Sequence, residues 1–296
     1  MKVLIAGWFS FEDMGATAGD LLCRDVLAEW LQNARIPFEV AVAAPFTEGV
    51  AWESVDPGGY SHLIFVCGPL GNGWPVADLL ERFQDCELIG LNLTMLDDLE
   101  NWNPFTLLLE RDSNRTTRPD LTFLSRNHQV PIVGLILADH QKEYRERAQH
   151  ELANAAIQEL LASREAAVVK IDTRLDHNRT GQRTAAEIES LIARMDLVVT
   201  TRLHGTVLAL KNGVPALVID PIAGGHKVHR QVKTLKWPIC FTANQLVDSE
   251  LERAFDFCLT EEARTLARHC SQQARQSLSG LQMELLRQLQ RNPQEV

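Results

Sequence analysis

Three residues in the segment MDLVVTTRLHGTVLALKNGVPALVID, which runs from Met195 to Asp220, are of types that bind an anion and move a proton beside it: Thr201, Arg202 and His204. A guanidinium presents a fork of N–H donors matched to phosphate or carboxylate. An imidazole exchanges a proton near neutral pH, so His204 is the acid or base candidate beside the anion held by Arg202. The competing reading is structural: Arg202 pairs with an acidic residue across a domain interface, and His204 caps a loop.

The flanking residues set where these groups stand. Asp196 to Thr200 is rich in branched apolar residues, Leu203 to Lys211 carries a helical pattern, and Val214 to Ile219 is a second apolar run. Gly213 falls where a left-handed cap is wanted, with Pro215 just beyond it. The segment therefore reads as strand, helix, strand, with parallel strands joined by a helical crossover. Thr201, Arg202 and His204 fall between the carboxyl end of the first strand and the amino end of the helix, where open α/β sheets hold ligands. The helix start at Gly205 adds unpaired N–H groups and a partial positive charge. After the second strand the loop Asp220-Pro-Ile-Ala-Gly-Gly-His-Lys brings Lys227 to the same edge as a further point charge. His226 and His229 flank it without a carboxylate at ligand spacing, so no metal site is read.

The same alternation runs through the rest of the chain. Lys2 to Gly7 is a first strand, and a Gly-containing loop leads to a helix running to about Asn33, which Asp20 is placed to cap. Phe38 to Ala44 and His62 to Cys67 follow as strands, the second running into Gly68-Pro69-Leu70-Gly71-Asn72-Gly73, a loop suited to lining a ligand cleft. Val76 to Phe83 reads as a helix, and Leu88 to Leu93 and Phe105 to Leu109 as strands delivering Arg111. The polar stretch from Asn114 to Val130 contains the boundary. Beyond it come a strand at Pro131 to Leu137, a helix from about Gln141 to Ser163, a strand at Ala167 to Asp172 and a helix from Thr184 to Arg194 with a Thr184–Glu187 capping box. After the central unit, Glu250 to Phe257 and Glu261 to Arg291 read as closing helices. The expected division is 1–125, 126–275, and a helix over 276–296 that packs back on the first domain. This is an α/β chain of two doubly wound, Rossmann-like domains facing across a cleft.

Composition excludes several classes. The 296 residues carry a net charge of −10, which argues against binding nucleic acid through a basic surface. No stretch approaches the apolar length that spans a bilayer, and MKVLIAGWFS is a first strand rather than a signal peptide. Six scattered cysteines (Cys23, Cys67, Cys86, Cys240, Cys258, Cys270) make neither a zinc pattern nor a disulfide framework, so reduced core thiols and a cytoplasmic location are expected. The Asn-X-Thr triplets at Asn92, Asn114 and Asn178 are then coincidental.

The run DLVVTTRLHGTVLALKNGVPALVID resembles the signature of the polysaccharide pyruvyl transferase family: a strand ending in Arg-Leu-His, an Ala-rich helix and a Gly-Val-Pro turn. The resemblance recurs at Gly19-Asp20, at Arg111-Asp112-Ser113 with Pro119-Asp120, and at Lys227-Val228. Two positions depart from it. Met14-Gly15-Ala16-Thr17 lacks an Asn found before the Gly-Asp pair, and Gly68-Pro69 stands where the family has Gly-Gly, which removes one N–H. The resemblance implies a fold similar to the B-type glycosyltransferases and a transferase that moves a pyruvyl group from phosphoenolpyruvate to sugar hydroxyls as a ketal. It implies His204 as the acid; Arg202, Thr201, Gly205, Lys227 and Arg111 around the donor; and Gly19, Asp20, Gly68 and Asn72 on the acceptor side. Phosphoenolpyruvate enters as a co-substrate, with no cofactor or metal, and the acceptor is a sugar or lipid-linked glycan. Two other classes stay open: a nucleotide-sugar glycosyltransferase of the same architecture, and a catalytically silent relative that binds a glycan or phosphorylated metabolite.

Overall fold

The structure, a computed structural model, describes residues 1–139 and 142–290 and divides into two compact units, Met1–His128 and Gln129–Val296. Each is α/β and built on one five-stranded parallel sheet.

In the first unit the elements run β1 (Val3–Ala6), α1 (Ala18–Asn33), β2 (Phe38–Val40), β3 (His62–Leu70), α2 (Val76–Arg82), β4 (Glu87–Met95) and β5 (Leu107–Leu109). The sheet order is β2-β1-β3-β4-β5. Because side chains alternate along a strand, Val3 and Ile5 pack with Cys23, Leu27 and Leu31 of α1, while Leu4 and Ala6 enter a separate core with Phe65, Leu79 and Phe83. Burial of every β1 residue is the reason this strand reads as an unbroken apolar run.

In the second unit the order is β6 (Ile132–Ile136), α3 (His150–Ala162), β7 (Ala167–Lys170), α4 (Ala185–Ile192), β8 (Leu197–Thr200), α5 (Leu203–Lys211), β9 (Ala216–Asp220), α6 (Lys227–Thr234), β10 (Cys240–Thr242), α7 (Asp248–Cys258), α8 (Glu261–Ser277) and α9 (Leu281–Gln290). Its sheet order is β10-β9-β8-β6-β7. Counted within each unit, both sheets follow the doubly wound order 2-1-3-4-5, which puts a topological switch point between the first and third strands of each.

The central strand–helix–strand unit forms as read, with α5 spanning Leu203–Lys211 and Gly213 at φ +70°. Thr184 and Glu187 make the expected capping box. Several boundaries differ. β3 continues through Gly68-Pro69-Leu70, which the sequence read as loop, and pairs with Leu93, Thr94 and Met95. Lys227 begins a helix rather than ending a loop. The helix expected from about Gln141 is confined to His150–Ala162, and Gln141 lies outside the described residues. The closing helix breaks between Ser277 and Leu281, and α9 leaves Leu281, Met283, Leu285, Leu286 and Leu289 exposed. Arg291 lies outside the described residues. No helix among the described residues is long and apolar enough to cross a membrane.

Candidate functional site

At the switch point of the second unit, Thr200 ends β8 with its side chain fully buried. Its hydroxyl donates to the Ile136 carbonyl at 2.8 Å and accepts the Arg202 N–H at 3.0 Å, which fixes the corner between strand and helix. The Thr201 hydroxyl accepts the Ala138 N–H at 2.8 Å and so ties the end of β8 to the end of β6. Arg202 is the N-cap of α5, and no side chain caps that helix. The first-turn N–H groups of a helix have no intrahelical partner, so this end offers donors and a partial positive charge.

Those groups open onto a cavity of about 390 Å³ whose walls include Asp139, Arg174, Thr201, Arg202, His204, Asp220 and Lys227. His204 is exposed on this wall. Gly205 lies beneath it, fully buried: a Cβ there would stand 2.3 Å from Thr200 Oγ1 and 3.0 Å from Ile136 Cγ2, so the residue allows helix and strand to approach.

Arg202 does meet acidic partners, but from within its own unit. Its Nη1 lies 3.3 Å from Asp172 Oδ1 and 3.2 Å from Thr173 Oγ1, and Nη2 lies 3.8 Å from Asp139 Oδ2. Asp139 is shared with Arg174 at 3.5 Å and Arg179 at 2.9 Å. Arg174 also grips Asp176, whose carboxyl it holds down at about 2. The cavity therefore holds a set of arginines balanced by carboxylates, in place of one isolated cation.

Lys227, the first residue of α6, is positioned by Asp220. That carboxylate is fully buried and accepts the N–H groups of Ile222 at 3.1 Å, His226 at 2.6 Å and His229 at 3.0 Å. Asp139, Asp172, Arg174 and Asp220 were not singled out from sequence. Each stands at or just past the carboxyl end of a strand, so the rule that located Arg202 would have found them if applied to every strand.

The first unit has its own cavity at the equivalent switch point, about 540 Å³ and lined by Trp8, Thr17, Gly19, Asp20, Cys67, Gly68, Arg111 and Asp120 among others. Asp20 is not the helix cap expected of it. Thr17 is the N-cap, and Asp20 is the reciprocal partner three residues on, its Oδ2 accepting the Thr17 N–H and hydroxyl, each at 2.7 Å. Gly68 has φ +89°, and a Cβ there would fall 2.3 Å from the Trp8 indole, so only glycine admits that ring. Arg111 lines this cavity with Nη1 2.6 Å from Asp120 Oδ2 and Nη2 2.7 Å from Thr94 Oγ1. The neighbouring Glu110 takes Arg115 instead. Asn72 is exposed outside the cavity, its N–H bonded to Asp97. Burial works against the charge on Asp120, but the Thr122 N–H, the Arg111 guanidinium and the Asn92 amide hold its carboxyl well below the usual range.

No curated protein matches the chain. Among solved structures, a spinosyn rhamnosyltransferase, SpnG, aligns at 12% identity over 92% of this chain and 95% of that one, with a TM-score of 0.33. The UDP-GlcNAc 2-epimerase from Methanocaldococcus jannaschii aligns at 10% identity over 89% and 94%, with a TM-score of 0.33. MurG from Acinetobacter baumannii aligns at 10% identity over 92% and 95%, with a TM-score of 0.31. The polysaccharide pyruvyl transferase family model matches residues 100–221, a stretch that takes in Arg111, Thr201, Arg202, His204, Gly205 and Asp220, and over it the chain is similar to that family of transferases.

Proposed function

We propose that the protein transfers a pyruvyl group from phosphoenolpyruvate to two hydroxyls of a sugar in a polysaccharide or cell-surface glycan precursor, forming a ketal and releasing phosphate. The observation that carries this reading is the family match over residues 100–221 falling on a cavity where Arg202, His204 and the uncapped start of α5 share one wall. A donor with a phosphate and a carboxylate needs several cationic or N–H groups. Arg202, Lys227 and the helix start supply them, and the Thr201 hydroxyl adds an O–H donor, its N–H being taken by the Ile136 carbonyl; the Arg202 carboxylate partners give way to the donor's own negative charge.

In the proposed reaction His204 gives a proton to the methylene carbon of the donor, which makes the central carbon electrophilic. A sugar hydroxyl adds to that carbon and loses its proton. The bond to the phosphate oxygen then breaks, and the second hydroxyl closes the ketal. Gly19, Asp20 and Gly68 belong on the acceptor side in this reading. Arg111 shares their cavity through its bond to Asp120, and its place with the donor rests on the resemblance alone. The exposure of His204 suits a group that must be reprotonated after each turnover.

Calorimetry with phosphoenolpyruvate on the native protein, Arg202→Ala and His204→Ala tests the assignment, followed by phosphate release across a panel of sugars. Arg202→Ala is expected to lose donor binding. His204→Ala is expected to bind donor and turn over about a hundredfold to ten-thousandfold more slowly. Equal donor affinity in Arg202→Ala would refute the roles, and the absence of binding by the folded native protein would refute the donor.

A further inference from the structure

We propose that Cys23 and Cys67 are a redox-active thiol pair at the floor of the first unit's cavity, converted by a hydroperoxide to an intramolecular disulfide. This assignment stands independently of the transferase reading. The two residues are 44 positions apart, and the fold brings them together with Asn92 and Asp120.

The backbone at the pair is unusual. Along β3 and β4 the ladder pairs Val66 with Leu91 and Gly68 with Leu93, and the residues between, Cys67 and Asn92, both have positive φ, +67° and +56°. Neither is glycine, and the left-handed backbone is unusual for cysteine above all; such outliers persist where the surroundings hold a side chain in one orientation. Here they aim both side chains at Cys23 of α1. The Asn92 Oδ1 accepts the Leu121 N–H at 3.0 Å, which settles the amide orientation and turns Nδ2 to the sulfurs. Nδ2 then donates to Cys23 Sγ at 3.3 Å, to Cys67 Sγ at 3.6 Å and to Asp120 Oδ2 at 3.3 Å. The two sulfurs are thus held on one amide nitrogen, 3.3 Å and 3.6 Å from it.

The pair is asymmetric. Cys67 lines the cavity, whereas Cys23 is wholly buried behind it. The Cys23 thiol donates to Asp120 Oδ1 at 3.8 Å, and the neighbouring Cys67 together with burial pushes Cys23 far up, while the proximity of Cys23 draws the Cys67 thiol below its ordinary value. Cys67, 4% exposed and lining the cavity, is thus the sulfur disposed to ionise, and Cys23 is the thiol behind it, which is the arrangement of an attacking and a resolving cysteine. The Arg111 guanidinium feels both sulfurs and adds positive charge to offset Asp20 and Asp120. By contrast Cys86, Cys240, Cys258 and Cys270 have no thiol neighbour, and burial raises each of them.

The Cys67 thiolate sulfur attacks one peroxide oxygen. An S–O bond forms, the O–O bond breaks, and the departing oxygen leaves as water or alcohol with the proton from Cys67. The Cys23 sulfur then attacks the sulfenic sulfur: the S–S bond forms, the S–O bond breaks, and water leaves with the proton from Cys23. The two thiols are oxidised and the peroxide is reduced.

The test uses the full chain treated with one equivalent of hydrogen peroxide, alkylated without reductant and digested with trypsin. Cys23 and Cys67 are the lone cysteines of the tryptic peptides Val3–Arg24 and Ile36–Arg82. The expected result is a species joining these two peptides, short of two hydrogens, that dithiothreitol separates, while Cys86, Cys258 and Cys270 stay alkylated. Cys23→Ser is expected to stop at a sulfenic acid on Cys67 that dimedone traps. Recovery of both thiols alkylated in the native protein, or conversion of Cys67 to sulfinic acid without the cross-link, would overturn the proposal.

Discussion

Gly205→Ala tests whether the approach of α5 to the sheet is what places the anion-binding wall. The added methyl would sit 2.3 Å from Thr200 Oγ1, 3.0 Å from Ile136 Cγ2 and 3.2 Å from Ile136 Cβ, roughly 1 Å short of comfortable contact with the hydroxyl. Alanine gains about 1 kcal/mol of helix propensity over glycine. Against this, overpacking a tight site costs about 1–3 kcal/mol, and the Thr200 hydroxyl cannot retreat without loosening its bonds to Ile136 and Arg202, each worth about 1 kcal/mol. The packing side wins by about 2 kcal/mol, which for a domain of this size lowers Tm by about 4–8 °C. The displaced segment carries Arg202 and the open N–H groups of α5, so affinity for phosphoenolpyruvate should fall roughly tenfold to a hundredfold with the loss of alignment. Thermal unfolding followed by circular dichroism, with calorimetry on the same samples, reads both effects. Combining the change with Thr200→Ala removes the clashing oxygen, so the double variant should be more stable than the two single losses add up to. A Gly205→Ala protein with a Tm at or above that of the native chain and unchanged donor affinity would refute the reasoning.

Asp220→Ala should cost about 3 kcal/mol in urea unfolding, because three N–H groups lose a buried charged acceptor, and it should weaken phosphate binding by releasing Lys227. An unchanged urea midpoint would show that the loop holds itself. For pH, the relevant groups are Asp120 and Glu110, the latter held low by Arg115 and Ser113. Both carboxyls titrate lower folded than unfolded, so the folded state binds fewer protons and their stabilisation is complete above about pH 4–5. It is lost as pH falls through the folded values. The urea midpoint of the first unit should therefore drop on acidification below about pH 4. Asp120→Asn should flatten that drop, and an equally steep profile in this variant would assign the acid sensitivity elsewhere.

What the sequence makes legible is what short-range physics decides. The β8–α5–β9 unit follows from a β-branched run, a helical apolar pattern and a glycine at the cap, all local. α6 was missed because its sequence, KVHRQVKT, buries only Val228 and Val232, and its start is held by the Asp220 carboxylate from across the loop rather than by a neighbouring cap residue. The extension of β3 through Gly68 and Pro69 was hidden for a related reason: both residues signal a turn locally, and only pairing with β4 overrides them. Cys23, Cys67, Asn92 and Asp120 lie on separate elements, and nothing in their spacing brings them together until the strand order 2-1-3-4-5 is known.

The shared strand order also explains why two similar switch points carry different chemistry. In each unit a helix begins beside the point where the strand order reverses, and a bare helix start attracts anions. In the first unit that attraction is already satisfied, because Asp20 returns its carboxylate to Thr17 at the start of α1 and Asp120 takes the Arg111 guanidinium. Its cavity is left with carboxylate edges and the Trp8 indole, groups that suit sugar hydroxyls and a sugar face. In the second unit no side chain caps α5; Arg202 and Arg174 are balanced there by Asp139 and Asp172, and Lys227 lines the same cavity beside the open helix end. In the proposed reading, the capping box present at α1 and absent at α5 separates the acceptor side from the phosphate side. An acidic residue in the exposed first turn of α5 is the corresponding perturbation: His204→Asp should abolish the phosphate binding that His204→Ala retains in the second unit, while leaving the first cavity unaltered.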